Sequence, residues 1–404
     1  KMVVALLFGS FALLLILRVP IGISLGMSSL ITIFASGVVQ PTYLAQGLVT
    51  GADSFSLMAV PFFVLAGELM ATGGISRRLL NIADAFLGRK YGGLALVTVV
   101  ACMFFAAISG SGPATVAAIG GLTIPSMLKQ GYDNPFAGAI SAAAGSIGVI
   151  IPPSIPMVMY CVATGVSVGA MFMGGVIPGI LIGISLCVYS SLYSKKHKYI
   201  NAEAAPFSWG NVGRSLVDGI WALLVPVIIL GGIYGGIFTP TEAAGVACAY
   251  GLIVGLFIYR ELKLRELKTV ILGSASSTGM VLFIMACAAV FGYVMARYQI
   301  TNVIAEFIIS LCPNKYVFLL MVNILLLIVG CFMETTAAIL ILAPIFAPIL
   351  TVFGIQPVHF GVVMCINLAI GCATPPLGLN LFVAAGLTKD KEEDKINRHT
   401  VGYI

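Results

Sequence analysis

Two Pro-Pro pairs interrupt strongly apolar stretches of the sequence, at Pro152-Pro153 and Pro375-Pro376. Proline has no backbone N–H and its ring clashes with the preceding turn, so two in succession end a helix. In hydrocarbon, the carbonyls that lose their helical partners are costly unless another group satisfies them. The sequence therefore predicts two broken helices whose ends line an ion or substrate site, an arrangement typical of secondary transporters.

Composition indicates that lipid surrounds most of the chain. Hydrophobic residues make up 60% of the 404 positions and charged residues 9%, whereas soluble domains contain about 25% charged residues. The net charge of +6 is spread over short loops, so no nucleic-acid partner is expected. The nine cysteines form no CxxC pair, which makes buried thiols the favoured interpretation over a metal site or disulfides.

Apolar segments of about 20 residues predict membrane-crossing helices. They lie at 2–17, 20–38, 55–74, 136–165, 170–193, 219–237, 241–259, 270–296 and 358–388. The stretches 93–128 and 316–353 instead contain two arms each, on either side of Gly110-Ser111-Gly112-Pro113 and Glu334-Thr335-Thr336. An arm of about 16 residues spans about 24 Å, less than a hydrocarbon core of about 30 Å. Both stretches are therefore predicted to be re-entrant hairpins.

Basic residues cluster in loops that alternate along the chain, around 77–90, 195–198 and 260–268. The positive-inside rule places these loops on the cytoplasmic side. The first hairpin then enters from the inside and the second from the outside, although loop charge does not exclude two full crossings for 93–128. The stretch 260–268 is expected to be a separate interfacial helix, and 39–54 and 299–312 short lateral arms.

The two halves share the motif Ile-Gly-x-x-x-Pro-Pro, at 147–153 and 370–376. At this offset of about 220 positions the two hairpin tips also align, which predicts inverted repeats in an all-α polytopic membrane protein. The predicted divisions are a first repeat at 1–198 (hairpin 93–128, broken helix 136–165), a cytoplasmic linker at 199–218, a second repeat at 219–388 (hairpin 316–353, broken helix 358–388) and a polar tail at 389–404. At the same offset, the helix 170–193 should have a partner that begins near 393. That helix is expected to be missing, because the sequence becomes polar at Lys389.

The breaks offer two kinds of ligand. Carbonyls at the C-terminal end of a half-helix attract a cation, and free N–H groups at the N-terminal end of the next attract an anion. The tips add Ser and Thr hydroxyls, with glycines that allow close backbone approach. Hard oxygen ligands without a carboxylate cage suit Na⁺ better than Ca²⁺. The alternative interpretation is that these small residues only pack helices closely.

Three acidic residues allow different interpretations. Glu242 follows Thr239-Pro240-Thr241 and fits a capping box, which is a structural role. Glu68 lies within an apolar segment and is explained as a snorkelling side chain or a packing partner. Glu334 lies at a hairpin tip and is the strongest functional candidate of the three.

Five segments resemble the large membrane subunit of tripartite ATP-independent periplasmic (TRAP) transporters, with most likeness to the sialic-acid branch. They are Gly-Ser-Gly-Pro-Ala-Thr at 110–115, Ile-Pro-Pro-Ser at 151–154, Thr-Pro-Thr-Glu-Ala at 239–243, Met-Glu-Thr-Thr at 333–336 and Ala-Thr-Pro-Pro-Leu-Gly at 373–378. The resemblance implies an elevator-type carrier of a bacterial inner membrane, without enzymatic activity, that couples Na⁺ to uptake of a sialic acid or a C4-dicarboxylate. It also implies two protein partners, a small four-helix membrane subunit and a periplasmic substrate-binding protein.

Carried over by position, the resemblance also implies site residues. One sodium site would use Ser109, Gly148, Ile151 and Pro153, and the other Gly330, Gly371, Thr374 and Leu377, mostly through backbone carbonyls. Substrate-binding residues are expected at Ser111, Gly112, Pro113, Thr115, Ser154, Glu334, Thr335, Thr336, Pro376 and Asn380.

Two other classes of function are weaker alternatives. An ion channel with paired re-entrant loops would need a polar pore, and the sequence has no pore-lining periodicity. An integral-membrane enzyme would need a catalytic constellation or a phosphate loop, and neither motif is present. The sequence does not name the substrate.

Overall fold

A computed structural model describes residues 2–37, 40, 42–88, 90–199, 207–376, 378–388, 396 and 399–403. Within these ranges all regular secondary structure is helical, as predicted for an all-α membrane protein. The predicted polar tail lies mostly outside the described residues, as does 200–206 in the predicted linker.

The described residues from 2 to 199 form eleven α-helices. They are α1 (Met2–Ile16), α2 (Ile21–Ser36), α3 (Thr42–Ala52), α4 (Ala59–Thr72), α5 (Ile75–Leu87), α6 (Gly93–Ser109), α7 (Gly112–Thr115), α8 (Gly121–Lys129), α9 (Asn134–Ser146), α10 (Ile155–Thr164) and α11 (Val168–His197). A π-helical turn at Val116–Gly120 joins α7 to α8, and a 3₁₀ turn at Ile147–Val149 extends α9.

Among the described residues from 207 to 388 there are nine further α-helices. They are α12 (Trp209–Asp218), α13 (Ile220–Tyr234), α14 (Pro240–Ile253), α15 (Leu264–Arg297), α16 (Ile300–Leu311), α17 (Lys315–Phe332), α18 (Thr335–Val352), α19 (Pro357–Gly371) and α20 (Leu379–Leu387). Within the part of the chain that the structure describes, six helices are long and apolar enough to cross a membrane, or up to seven if the bent pair α12 and α13 forms one span.

Local capping signals explain where several helices begin. Thr239 and Glu242 form a capping box at the start of α14, which confirms the structural role predicted for Glu242. Asn314 accepts hydrogen bonds from the N–H groups of Tyr316 and Val317 at the start of α17. These side chains satisfy donors that the first helical turn leaves free.

Both predicted helix breaks are present. α9 and its 3₁₀ extension end before Pro152-Pro153, and α10 begins at Ile155. α19 ends at Gly371, and α20 begins at Leu379, after Pro375-Pro376. The chain is therefore non-helical at both Pro-Pro pairs, as the missing proline N–H groups require.

The predicted tips separate paired helical arms. α6 ends at Ser109, where Gly110 adopts a φ of 63° and Ser111 is extended. In the second half, α17 and α18 meet at the extended residues Met333 and Glu334. Each of these two arms has 18 residues, longer than expected from the sequence, so arm length does not by itself distinguish a re-entrant hairpin from two crossings.

One predicted interfacial helix is wrong. Residues 264–268 form the beginning of the 34-residue helix α15 rather than a separate element. The carboxylate of Glu266 accepts the N–H of Lys263 at 3.1 Å and so caps the start of this helix. The expected arms are helical, as α3 and α16. Two amphipathic helices were not predicted, α5 and α12, of which α12 lies in the predicted linker.

The two halves interlock around the breaks. α20 of the second half packs on α9 of the first, and α10 packs on α18. Beside this group, α15 packs against α2, α3 and α4 and also touches α18. The broken helices and hairpin tips thus lie together, with α4 and α15 on one side of them.

Candidate functional site

The first hairpin tip is hydrogen-bonded to the first helix break. The N–H of Ile155, at the start of α10, donates to the carbonyl of Gly110 at 3.1 Å. A Cβ built on Gly110 would come 2.8 Å from the carbonyl oxygen of Pro153. The close approach and the positive φ both require glycine here, so this residue holds the tip against the break.

Buried oxygens cluster where the tip meets the break. Ser109 Oγ lies 2.9 Å from Thr115 Oγ1, which donates to the carbonyl of Ser111 at 2.8 Å. A Cβ on Gly148 would lie 2.5 Å from Thr115 Oγ1 and 2.6 Å from that carbonyl oxygen. Ser109 and Gly148, both assigned to a sodium site, therefore adjoin the same group of hydroxyl and carbonyl oxygens.

The other residues assigned to that site follow Gly148 directly. Ile151 donates its N–H to the carbonyl of Ile147 at 3.0 Å, and the Pro153 carbonyl faces Gly110. The described residues contain no group of three or more His, Cys, Asp and Glu side chains that could hold a metal ion. Hydroxyl and carbonyl oxygens are thus the groups available, and they fit a monovalent cation better than a divalent one.

The second break also lies against its hairpin. The N–H of Gly378 donates to the carbonyl of Cys331 at 3.1 Å. Gly330 and Gly371 bring α17 and α19 into backbone contact. Thr374, just before the Pro-Pro pair, donates its hydroxyl to the carbonyl of Ile370 at 2.7 Å. Leu377, the fourth residue assigned to this sodium site, lies outside the described residues.

At the second tip, Glu334 is the N-cap of α18. Its carboxylate accepts the N–H of Ala337 at 3.1 Å and the hydroxyl of Thr336 at 2.7 Å. Next to it, Thr335 Oγ1 lies 3.3 Å from Cys372 Sγ, which belongs to the second break. The carboxylate predicted to be functional therefore also stabilises a helix end.

A cavity of about 360 Å³ lies between the two tips, α4 and α15. It is lined by apolar side chains and by a smaller set of polar ones, and none of the described lining residues is Lys, Arg or His. The polar lining residues are Glu68, Ser109, Ser111, Ser277, Glu334, Thr335, Thr336, Cys372 and Asn380. A concave, mostly apolar space with a few polar groups is the usual form of a small-molecule site.

Four helical segments direct their N-termini at this cavity. The continuous helical stretch from Gly112 to Lys129, α10, α18 and α20 begin at Gly112, Ile155, Thr335 and Leu379, and each of these first residues lines the cavity. A helix N-terminus carries the equivalent of about half a positive charge and free N–H donors. These helix ends add partial positive charge to a lining that also contains the carboxylates of Glu68 and Glu334.

The residues predicted to bind substrate fall into two groups. Those that line the cavity are Ser111, Gly112, Pro113, Glu334, Thr335, Thr336 and Asn380. Thr115 and Ser154 are fully buried beside the first break, and Ser154 Oγ donates to the carbonyl of Val149 at 2.6 Å. Pro376 is exposed and is not among the lining residues.

Four polar or aromatic lining residues were not predicted as site residues: Glu68, Phe105, Ser277 and Cys372. Two of them carry a signal in the sequence. An ionisable residue within an apolar segment, such as Glu68, usually faces a cavity or a partner. Ser277 belongs to the Ser- and Thr-rich stretch 274–278 within the apolar segment 270–296. Phe105 and Cys372 carry no comparable signal.

Comparison with known proteins places the chain among membrane permeases. Residues 8–404 match the family described as tripartite ATP-independent periplasmic transporter, DctM component. A relative from Oleidesulfovibrio alaskensis, named isethionate TRAP transporter permease protein DctMQ, is 52% identical, and the match covers 96% of this chain. The chain spans 61% of that relative's length.

Two other relatives are named for different acids. The C4-dicarboxylate TRAP transporter large permease protein DctM of Pseudomonas aeruginosa is 47% identical, over 90% of this chain and 85% of the relative. The sialic acid TRAP transporter large permease protein SiaM of Vibrio cholerae is 39% identical, over 92% and 87%.

Solved structures show a similar fold. The Alcanivorax borkumensis YdaH transporter superposes with a TM-score of 0.61 at 18% identity, covering 90% of this chain and 85% of that one. Neisseria gonorrhoeae MtrF superposes with a TM-score of 0.59 at 15% identity, covering 90% and 81%. At such low identity the likeness concerns the fold alone.

Proposed function

Since this chain belongs to the DctM family of TRAP transporter large permeases, we propose that it is a secondary transporter that imports a small organic anion. Family membership and the apolar helices make it a multi-pass protein of the bacterial inner membrane. The observation that carries the proposal is the cavity of about 360 Å³ at which four helix N-termini converge.

The anion would bind at these N-termini. Backbone N–H groups and dipole ends stabilise a carboxylate or sulfonate, and the hydroxyl of Ser111 is a further donor in the lining. Without a lysine or arginine in the lining, the site would attract the anion without forming a strong ion pair that slows release. The carboxylates of Glu68 and Glu334 would limit how much negative charge the cavity tolerates.

Sodium would bind at the two breaks and couple to uptake. The support is the buried oxygen cluster of Ser109, Ser111 and Thr115 beside Gly148 and the backbone contact of Gly330 with Gly371 near Thr374. Such oxygens suit Na⁺. A cation bound there would also draw the tip towards the break, so that Na⁺ and the anion favour the same arrangement of the site.

Transport would follow an elevator mechanism based on inverted repeats. Each half has the same order of paired arms, extended tip and broken helix, which is the order expected of such repeats. The hairpins and broken helices would move together against α4 and α15, which flank the cavity. The cavity then faces each side of the membrane in turn.

Two protein partners complete the proposal: a small membrane subunit and a periplasmic substrate-binding protein. The family description calls the transporter tripartite, so the permease would work with two further components. The relative named DctMQ extends well beyond the part that this chain matches, which leaves room in it for a second component. The substrate would be an organic acid of the types named for the relatives, among them isethionate, C4-dicarboxylates and sialic acids.

Reconstituted uptake tests the function. Proteoliposomes holding the chain and its small subunit would be supplied with the binding protein and labelled isethionate, succinate, malate or N-acetylneuraminate. We expect saturable uptake of at least one acid that requires an inward Na⁺ gradient. An uptake rate that is the same with and without the Na⁺ gradient would contradict sodium coupling. A Na⁺-independent conductance would favour the channel alternative.

Thiol accessibility tests the alternating movement. In a background without native cysteines, Ser111→Cys should react with a membrane-impermeant thiol reagent from different sides as Na⁺ and substrate are varied. Asn211→Cys, exposed on α12, is the control and should react from one side throughout. Constant sidedness at position 111 would argue against an alternating tip.

A further inference from the structure

Asn380, the second residue of α20, holds a buried amide with one unsatisfied end. The residue is 1% exposed. Its Nδ2 donates to Ser146 Oγ at 3.0 Å and lies 3.5 Å from the carbonyl of Ala142, both on α9. The amide orientation is assigned from these two oxygens, which both face Nδ2. Within the described part of the chain, Oδ1 has no hydrogen-bond partner.

The unsatisfied oxygen lies at the first hairpin tip. A Cβ built on Gly112 would come 3.1 Å from Asn380 Oδ1 and 3.2 Å from its Nδ2. Both Asn380 and Gly112 line the cavity. The amide of the second half therefore lies against the helix N-terminus of the first half, at the edge of the space proposed for the substrate.

A buried acceptor without a donor is unfavourable, and such groups are uncommon in native proteins. The anionic group of an organic acid cannot satisfy it, because a carboxylate or sulfonate is itself an acceptor. A second group on the substrate must donate. The residues in contact with this amide, Gly112, Ala142 and Ser146, carry no charge, which favours a neutral hydroxyl over an ammonium group.

We propose that Asn380 selects a hydroxylated organic anion, with Oδ1 accepting a hydrogen bond from the substrate hydroxyl. This inference rests on the proposed function, because it assigns a substrate class to the same cavity. The anionic group lies at the helix N-termini and the hydroxyl at Asn380. Since Asn380 adjoins Gly112, where one of these helices begins, the two substrate groups are near neighbours, as in a 2-hydroxycarboxylate or a 2-hydroxyalkanesulfonate.

Pairs of ligands that differ by one hydroxyl test this. Dissociation constants of the purified permease with its small subunit would be measured by calorimetry in Na⁺ buffer, for isethionate against ethanesulfonate and for glycolate against acetate. We expect the wild type to bind the hydroxylated member about 10- to 100-fold more tightly, because the analogue leaves Oδ1 unsatisfied. Asn380→Leu, of similar shape without polar atoms, should bring the ratio close to one.

Two further variants separate recognition from structure. Asn367→Ala removes another buried amide, which bonds to Asn323 Oδ1 at 2.6 Å but is not part of the cavity lining, so it should keep the wild-type ratio even if it lowers stability. Gly112→Ala keeps the Asn380 side chain and inserts a methyl group 3.1 Å from its Oδ1 and 3.2 Å from its Nδ2. It should lower the ratio, and it tests the proposal if Asn380→Leu does not fold.

The inference is overturned if the wild type does not prefer hydroxylated ligands, or if Asn380→Leu weakens both members of a pair equally. Glycine binding more tightly than glycolate would assign the donor as an ammonium and would also overturn it. Sodium-driven uptake of an acid without a hydroxyl preference leaves the proposed function intact and removes only this inference. If no acid of either panel binds or is transported, both fail.

Discussion

Gly330 and Gly371 bring α17 and α19 into backbone contact: a Cβ built on Gly371 would come 2.5 Å from the Cα of Gly330. The three atoms nearest to that Cβ are all backbone atoms, so no side chain can move aside. The second helix break begins at this contact, and the geometry of its carbonyls depends on it.

Gly371→Ala should therefore destabilise the protein. Overpacking in a close-packed site typically costs about 1–3 kcal/mol, and a rigid backbone neighbour favours the upper end. The measurement is the free energy of unfolding from a dodecyl sulfate titration. Gly273→Ala on α15, where nothing lies within 4 Å of the added Cβ, is the control and should be neutral or stabilising. Equal effects of the two substitutions would contradict the role of the contact.

Thr374→Val should weaken the dependence of uptake on Na⁺. The change removes a hydroxyl oxygen from the proposed second sodium site and keeps the shape of the side chain. A lost ligand worth about 1.4 kcal/mol corresponds to about a tenfold higher Na⁺ concentration for half-maximal uptake. Sodium titration of uptake in proteoliposomes measures this.

Thr164→Val is the matched control for that change. Thr164 Oγ1 donates to the carbonyl four residues earlier at 2.7 Å, the same bond that Thr374 makes, but it lies at the end of α10 and outside the cavity lining. Its Na⁺ titration should match the wild type. If Thr374→Val also matches the wild type, the second sodium site is assigned wrongly.

Glu334→Ala should destabilise the protein more than Glu334→Gln. Alanine removes the cap of α18, which costs about 0.5–2 kcal/mol. Glutamine keeps one of the two accepting oxygens, which can still accept the N–H of Ala337, so part of the cap remains. Melting temperatures of the detergent-purified variants provide the comparison. Equal losses for both variants would mean that the negative charge, rather than the acceptor geometry, stabilises this tip.

Arg78→Ala should be more damaging than Arg77→Ala, although both arginines contact Glu261. Arg78 is 12% exposed and Arg77 60% exposed. The Arg78 guanidinium also lies 3.5 Å from the ring centroid of Tyr259, so it ties α5 to the turn before α15. We expect a loss of about 1–3 kcal/mol for Arg78→Ala and of at most about 1 kcal/mol for Arg77→Ala.

Chemical denaturation of the two variants under identical conditions measures the difference. A loss at Arg77 as large as that at Arg78 would show that charge alone, without burial and stacking, holds this turn. High salt should reduce the contribution of Arg77 more, because an exposed ion pair is screened and a buried one is screened much less.

The features that could be predicted from the sequence are those with local causes. Pro152-Pro153 and Pro375-Pro376 end helices because of the proline ring itself, and the capping box of Glu242 follows from residues three apart. The amphipathic helix α5 was not predicted. Its apolar face is explained by packing on α6 and α12, and these contacts depend on the tertiary structure. The start of α15 was misassigned because the same basic, amphipathic pattern occurs in interfacial helices and at the ends of membrane-crossing helices.

The sequence by itself determined that this chain is a helical membrane protein with two helix breaks and two polar tips, since apolar length and proline chemistry act within a few residues. Only the tertiary structure decided which polar groups share the cavity. Asn380 and Ser146 are hydrogen-bonded across 234 positions, and Glu68 reaches the tips only because α4 packs beside α6. Contacts of that range depend on how helices from both halves pack, which no local pattern in the chain specifies.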